Sequence, residues 1–160
     1  MEATPHSIIL RGAHLEDAPT LLAWELQPEL QNVTTAESSV TLDFICRHIL
    51  SSMNLLTDLQ QRFIIERNKL SIGTIDLYDY ADSSASVGIF IDKSHRQQGY
   101  AIEALRQIIE YSRTLGLKSL NAEVHSTNKA CITLFRKAGF RPIDNNQSED
   151  IISLQLRLDE

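Results

Sequence analysis

Residues 86–124 constrain the fold of this chain more than any other stretch. Their hydrophobic period changes twice. Val87, Ile89 and Ile91 alternate along one face, as a strand over residues 86–91 requires. A polar loop covers residues 92–99. Ala101, Ala104, Leu105, Ile108, Ser112 and Leu115 then recur at helical spacing, and Gly116 supplies a C-terminal stop. Leu120, Ala122 and Val124 restore alternation over residues 117–124. A strand, a long helix and a second strand in that order form a crossover unit. Strands 86–91 and 117–124 are therefore expected as parallel neighbours, joined right-handedly through helix 100–115.

The flanks read less sharply. Residues 7–11 suit a short strand. Residues 17–25 suit a helix, with Asp17 as cap, Pro19 in the first turn, then Leu21, Leu22 and Trp24. Residues 27–38 are polar and read as a loop. Leu42, Ile45, Cys46, Ile49 and Met53 stand at helical spacing. Residues 62–66 and 70–77 are isoleucine-rich strands around a tight turn at Asn68-Lys69. A helix over 128–138 is buried through Cys131, Leu134, Phe135 and Ala138 and ends at Gly139. Ile152, Leu154, Leu156 and Leu158 mark a last strand. Clustered strands followed by interleaved helices indicate an α/β or α+β layered sheet. With 160 residues, one domain over 1–160 is expected.

Charge and cysteine content exclude several classes. A formal net charge of −6 argues against a nucleic-acid partner, which needs a basic face. Net charge speaks first to solubility, and it supports a cationic substrate only loosely. Cys46 and Cys131 lack metal or disulfide spacing, and the five histidines form no ligand pair, so no metal is expected. No apolar run reaches membrane-spanning length, and residues 1–7 lack a basic start followed by an apolar run. A cytoplasmic protein without a membrane partner is the expectation.

The loop before the long helix carries the chemistry. A helix N-terminus presents unpaired N–H groups and the positive end of its dipole, and so favours an anion. Arg96-Gln97-Gln98-Gly99-Tyr100-Ala101 leads into that terminus. Gly99 admits a close backbone approach, and Ala101 keeps the next position small. The pattern is neither the Walker loop nor the three-glycine dinucleotide fingerprint. Alone, it is equally a helix start with a glycine in its entry turn.

The segment resembles motif A of the GNAT N-acetyltransferases, Q/R-x-x-G-x-G/A after a strand. Downstream, residues 128–140, from Asn128 through Phe135 to Gly139-Phe140, resemble that family's second signature, N-x-x-A/S-x-x-L-Y/F-x-K-x-G-F. Trp24-Glu25-Leu26-Gln27-Pro28-Glu29 is similar to the W-x-N-D-P-E segment of the branch holding ribosomal-protein (alanine) and spermidine N-acetyltransferases. Ile72-Gly73-Thr74-Ile75-Asp76-Leu77 is similar to its central hairpin. The resemblance covers nearly the whole chain, least over residues 31–60. It departs at Phe135, where many members carry the tyrosine that protonates the departing thiolate.

The resemblance implies a mixed, mostly antiparallel sheet of about six or seven strands flanked by helices. Its parallel pair would splay to admit the pantetheine arm of acetyl-CoA. Backbone N–H groups of Arg96, Gln97, Gln98, Gly99, Tyr100 and Ala101 would hold the pyrophosphate, with an added charge from Arg96. The backbone of Ile89, Phe90 and Ile91 would pair with the arm as an added strand. Asn128 would hydrogen-bond it, and Phe135 would pack beside the thioester.

The activity implied is direct transfer of an acetyl group to a primary amine in a ternary complex. The acceptor would be a polyamine or other small amine, or a peptide N-terminus. Glu25, Glu29, Asp76 and Asp79 are the acidic residues on the acceptor side. The Asp76, Asp79 and Asp82 cluster is also readable as a polar turn. A homodimer is compatible with this reading.

An alkyl ammonium, of pKa about 10, must lose a proton before it attacks. Strand alternation places Asn121 and Glu123 on the face opposite Leu120, Ala122 and Val124. Glu123-Val124 with Asn128 resembles the E-V-x-x-x-N stretch of the ribosomal-protein enzymes, whose glutamate is the base. Glu123, acting through water, is therefore the expected general base, with Asp76 and His125 next. Equally, Glu123 reads as a solvated strand residue. Two other classes fit the sequence: an acyl-CoA-binding module without turnover, made thinkable by Phe135, and a partner-binding domain on the same fold.

Overall fold

Two tight turns build the central sheet. Asn68 and Lys69 adopt φ of 50° and 67°, and Asp82 and Ser83 adopt 52° and 62°. Paired left-handed residues of this kind match the twist of a two-residue hairpin. They join β2 (Gln61–Arg67), β3 (Leu70–Ala81) and β4 (Ser84–Ile91) into an antiparallel meander, with β1 (Ile9–Gly12) on the outer edge of β2. The structure is a computed structural model describing residues 7–27 and 40–159, the side chains of 144–148 excepted.

From β4 the chain crosses through α4 (Tyr100–Thr114) to β5 (Ser119–His125), which lies parallel to β4 as the sequence predicts. Helix α5 (Lys129–Lys137) leads to β6 (Arg141–Ser148) and β7 (Ile151–Arg157), and β7 inserts between β5 and β6. The result is one seven-stranded sheet, ordered β1-β2-β3-β4-β5-β7-β6, with β4–β5 its parallel pair.

Each face of the sheet has its own core. On one side Ile65, Ile75, Leu77, Val87, Leu120 and Leu154 pack with Ala104, Leu105 and Ile108 of α4 and Phe135 of α5. On the other, α1 (Ala18–Glu25) and α2 (Leu42–Leu50) set Leu21, Trp24, Ile45 and Ile49 against Ile64, with Phe90 at the margin. Alternation along β2 and β4 thus feeds both layers, each strand giving its odd and even residues to opposite faces.

The flanking elements depart from the sequence reading in four places. Asp17 stands at the N-cap of α1 without a side-chain cap bond. Its carboxylate instead forks onto Arg11 at 2.9 and 2.8 Å and accepts from the His14 N–H. Met53 lies beyond α2 and forms a bridge with Gln61. A short helix, α3 (Leu55–Asp58), intervenes before β2, capped by Asn54 and closed by Leu59 at φ 63°. Strand β6 was not read from the sequence at all. The polar loop expected over 27–38 lies outside the described residues beyond Gln27.

Candidate active site

The parallel pair stays together only at its start. Ser84, Ala85 and Ser86 face Ser119, Leu120 and Asn121, and the register then ends. A polar clamp marks that point. The hydroxyls of Ser84 and Ser119 share a 2.9 Å bond, Asn121 donates to Ser84 Oγ at 2.9 Å, and Gln155 donates to Asn121 Oδ1 at 3.0 Å. Beyond it β4 keeps β3 as its neighbour, while β5 keeps β7 as far as His125 paired with Ile151.

Which β4 groups face the opening follows from strand alternation. The Asp92 N–H donates to Ile72, and the Phe90 carbonyl presses so closely on β3 that a Cβ at Gly73 would lie 2.1 Å from it. Phe90 therefore turns its backbone toward β3. Ile89 and Ile91 turn theirs toward the gap. One of these carbonyls is engaged, because Arg96 Nε donates to the Ile91 oxygen at 2.7 Å. Phe90 contributes its ring, which lies 5.5 Å from the Arg96 guanidinium carbon and 5.5 Å from Trp24.

The loop at the mouth of the gap is exposed from Arg96 through Gly99. Gln97 and Gly99 both take positive φ, 61° and 86°, on either side of Gln98. Such alternation turns successive N–H groups into a common concavity suited to an anion. Gly99 is the N-cap of α4, and no side chain caps that terminus. A Cβ there would meet nothing within 4 Å, so the glycine serves the backbone conformation and keeps the approach open. Tyr100 is buried under the Arg67 guanidinium and anchors the helix start, leaving only its backbone to the loop. These residues fit a diphosphate with an extended amide-bearing arm.

Asn128 caps α5, its Oδ1 accepting from the Cys131 N–H at 3.2 Å. Phe135 is 2% exposed and meets Phe140 edge-on, with centroids 5.0 Å apart. Burial pushes the neighbouring Cys131 thiol up, away from thiolate formation.

Between α1 and the β2–β4 meander lies a cleft of about 170 Å³. Leu21, Trp24, Glu25, Arg62, Thr74, Asp76, Gly88, Ile89 and Phe90 line it. The structure thus gathers Glu25 and Asp76 beside two of the β4 residues singled out by the sequence. It does not bring Asp79 there. That residue is exposed, at φ 52°, within the irregularity between Tyr78 and Ala81. Glu29 lies outside the described residues.

Asp76 does not face the cleft as a lone carboxylate. Arg62, its cross-strand partner, grips it through Nε at 2.9 Å and Nη2 at 2.8 Å. Burial works against the Arg62 charge, but Asp76, with Glu25 behind it, outweighs this and raises the guanidinium above its ordinary value. Burial also pushes the His48 imidazole down, and Arg62 adds to the effect while Asp76 opposes it.

Glu123 is exposed on β5, on the same face as Asn121 and opposite the buried Leu120, Ala122 and Val124. It does not line the cleft. Tyr78 lies beside the cleft: its Cε1 would lie 3.6 Å from a Cβ at Gly88, which lines it. Burial and then the charges of Glu123, Asp79 and Asp76 push its phenol up, so Tyr78 keeps its proton at neutral pH. Among the described residues, no cluster of three histidine, cysteine or carboxylate ligands is placed to hold a metal ion, and no helix is long and apolar enough to cross a membrane.

The fold recurs in known proteins. The uncharacterised N-acetyltransferase p20 of Bacillus licheniformis is 27% identical over 142 residues, covering 84% of this chain and 79% of that one. The spermidine N-acetyltransferase of Vibrio cholerae, solved with CoA and spermine, superposes with a TM-score of 0.81 at 20% identity over 95% of this chain and 96% of that one. YncA of Salmonella typhimurium, solved with its cofactor acetyl-CoA, gives 0.76 at 18% identity over 96% and 95%. Residues 7–141 match the family described as the Acetyltransferase (GNAT) domain, and with that span covered the chain belongs to the GNAT acetyltransferases.

Proposed function

We propose that this protein transfers an acetyl group from acetyl-CoA to a primary amine by direct transfer in a ternary complex. One observation carries the reading. The gap between β4 and β5 opens beside the uncapped start of α4, and the amine-sized cleft lies along the same segment of β4. Donor and acceptor sites on one strand are what direct transfer requires.

The residues divide the work as follows. Backbone N–H groups from Arg96 to Ala101 hold the pyrophosphate at the α4 N-terminus. Ile89, and Ile91 through its N–H, pair with the pantetheine arm, and Asn128 and Phe135 flank it from α5. Acetyl-CoA supplies an activated thioester. Glu25 and Asp76 draw an ammonium into the cleft, where Leu21, Trp24 and Phe90 exclude water. Glu123 takes the ammonium proton through water. Tyr78, uncharged, offers a hydroxyl beside the cleft. Phe135 carries no proton to give, so the leaving sulfur takes, relayed by water or by Ser126, the second proton that the nitrogen sheds as the amide forms.

The test is thiol release from acetyl-CoA with a panel of small amines, polyamines and peptides with free N-termini, beside calorimetry with acetyl-CoA alone. Turnover with an amine supports the proposal. Binding of acetyl-CoA without turnover of any acceptor would leave an acyl-CoA-binding module, and activity restricted to hydroxyl acceptors would sink the amine assignment.

A further inference from the structure

We propose that the cleft selects a primary amine with a single positive charge on an apolar aryl or alkyl body, and that Arg62 excludes polycations. The proposal rests on the acceptor reading above. Without Arg62, Glu25 and Asp76 would form an acidic pair suited to several ammonium groups. The structure puts a guanidinium on Asp76, in the same lining as Glu25. Arg62 is held in a two-point fork by Asp76, and its side chain is only 13% exposed. An arginine stays charged at every accessible pH.

Among the described residues the lining carries two negative charges and one positive, a sum of one unit of attraction from these groups. A first ammonium can meet Glu25. A second, in so short a cleft, would lie close to the guanidinium, where burial weakens the screening of like charges. His48 already registers that repulsion, since Arg62 helps to keep its imidazole uncharged.

Apart from Thr74, the remaining side chains of the wall are apolar. Trp24 and Phe90 stand with centroids 5.5 Å apart at 52°, beside Leu21. Such faces favour a hydrocarbon body and can also meet one ammonium over a ring. A volume of about 170 Å³ is smaller than the clefts of about 300–1,000 Å³ that enclose drug-sized ligands.

Trp24 is the only tryptophan in the chain, so its fluorescence reports occupancy of the cleft without turnover. The experiment titrates the full chain, with CoA present, against phenethylamine and against spermidine, and measures thiol release with each. Phenethylamine should bind roughly tenfold or more tightly than spermidine, with the same order in kcat/KM. Arg62→Gln should close that gap by strengthening spermidine, whereas Arg62→Lys, which keeps the charge, should preserve it. If Arg62→Gln does not fold, the wild-type ranking decides alone. Equal or tighter binding of spermidine, or no response of Trp24 to phenethylamine, overturns the selectivity. Phenethylamine binding in the predicted order with no amine turned over would sink the transfer reading and leave the selectivity standing. Efficient acetylation with spermidine preferred would do the reverse.

Discussion

Glu123 and Tyr78 illustrate how far single residues could be read. Alternation along residues 117–124 places Glu123 on the open face of β5, and the structure puts it there. Nothing in the sequence links it to Tyr78, whose ring lies beside Gly88 of β4 and feels the Glu123 charge. If Glu123 is the base, Glu123→Gln lowers kcat/KM by about 10²–10⁴-fold across the pH–rate profile with a confirmed acceptor. A wild-type profile would move attention to Asp76 or His125. The same variant should lower the Tyr78 pKa, since one of the negative charges that holds it up is gone. Ultraviolet titration of the phenols measures this.

Arg62 was not legible at all, and the reason is one residue of register. Counted back from the turn at Asn68-Lys69, Arg62 would oppose Ile75. A bulge between Ile65 and Glu66 shifts the pairing so that Arg62 meets Asp76. Such shifts change the face a side chain serves and leave no trace in hydrophobic pattern.

At the scale of elements, length and periodicity decided what could be seen. Helix α4 runs 15 residues with a continuous apolar stripe, and both its existence and its crossover role follow from that. Helix α3 has four residues, too few to show a period, and depends on Asn54 and Leu59 at its ends. Strand β6 contains Asp144-Asn145-Asn146-Gln147, a run that reads as loop, and it earns its place only by pairing with β7 at the sheet edge.

Two glycines test how the elements meet. In Gly73→Ala the new methyl would lie 2.1 Å from the Phe90 carbonyl, so β3 and β4 must part. The expected loss is about 1–3 kcal/mol, read from the urea midpoint. Gly99→Val has room for its side chain but forces a β-branched residue to φ 86°. The protein should fold, and calorimetry should show acetyl-CoA binding weakened roughly tenfold, in line with the 1–2 kcal/mol that left-handed backbone costs. Wild-type affinity in a folded variant would remove the loop from the site.

Stability is a property of the whole molecule, and one half-buried imidazole gives it a pH dependence just below neutrality. The folded state holds His48 below its ordinary value of 6.5, through burial first and Arg62 second. Between that lowered value and 6.5 the unfolded chain binds the extra proton. Stability therefore rises with pH across this window and is lost as pH falls below 6.5. Denaturation midpoints for wild type should fall on that side of 6.5, and those for His48→Gln should stay level. A wild-type midpoint that is flat there would mean that His48 titrates normally.

The brief pairing of β4 with β5 also divides the sheet into two halves. One half-sheet is β1 to β4, and the other is β5, β7 and β6. Between the strands of the two halves there are three register pairs and the Ser84–Ser119–Asn121–Gln155 clamp; α4 spans the seam from outside. A joint so short leaves the edges of the two strands beyond it unpaired with each other. Any extended molecule that bonds to the edges of both strands beyond it becomes a splint across the two halves. It stiffens the sheet as it binds, and in proportion to its affinity it makes them unfold as one body.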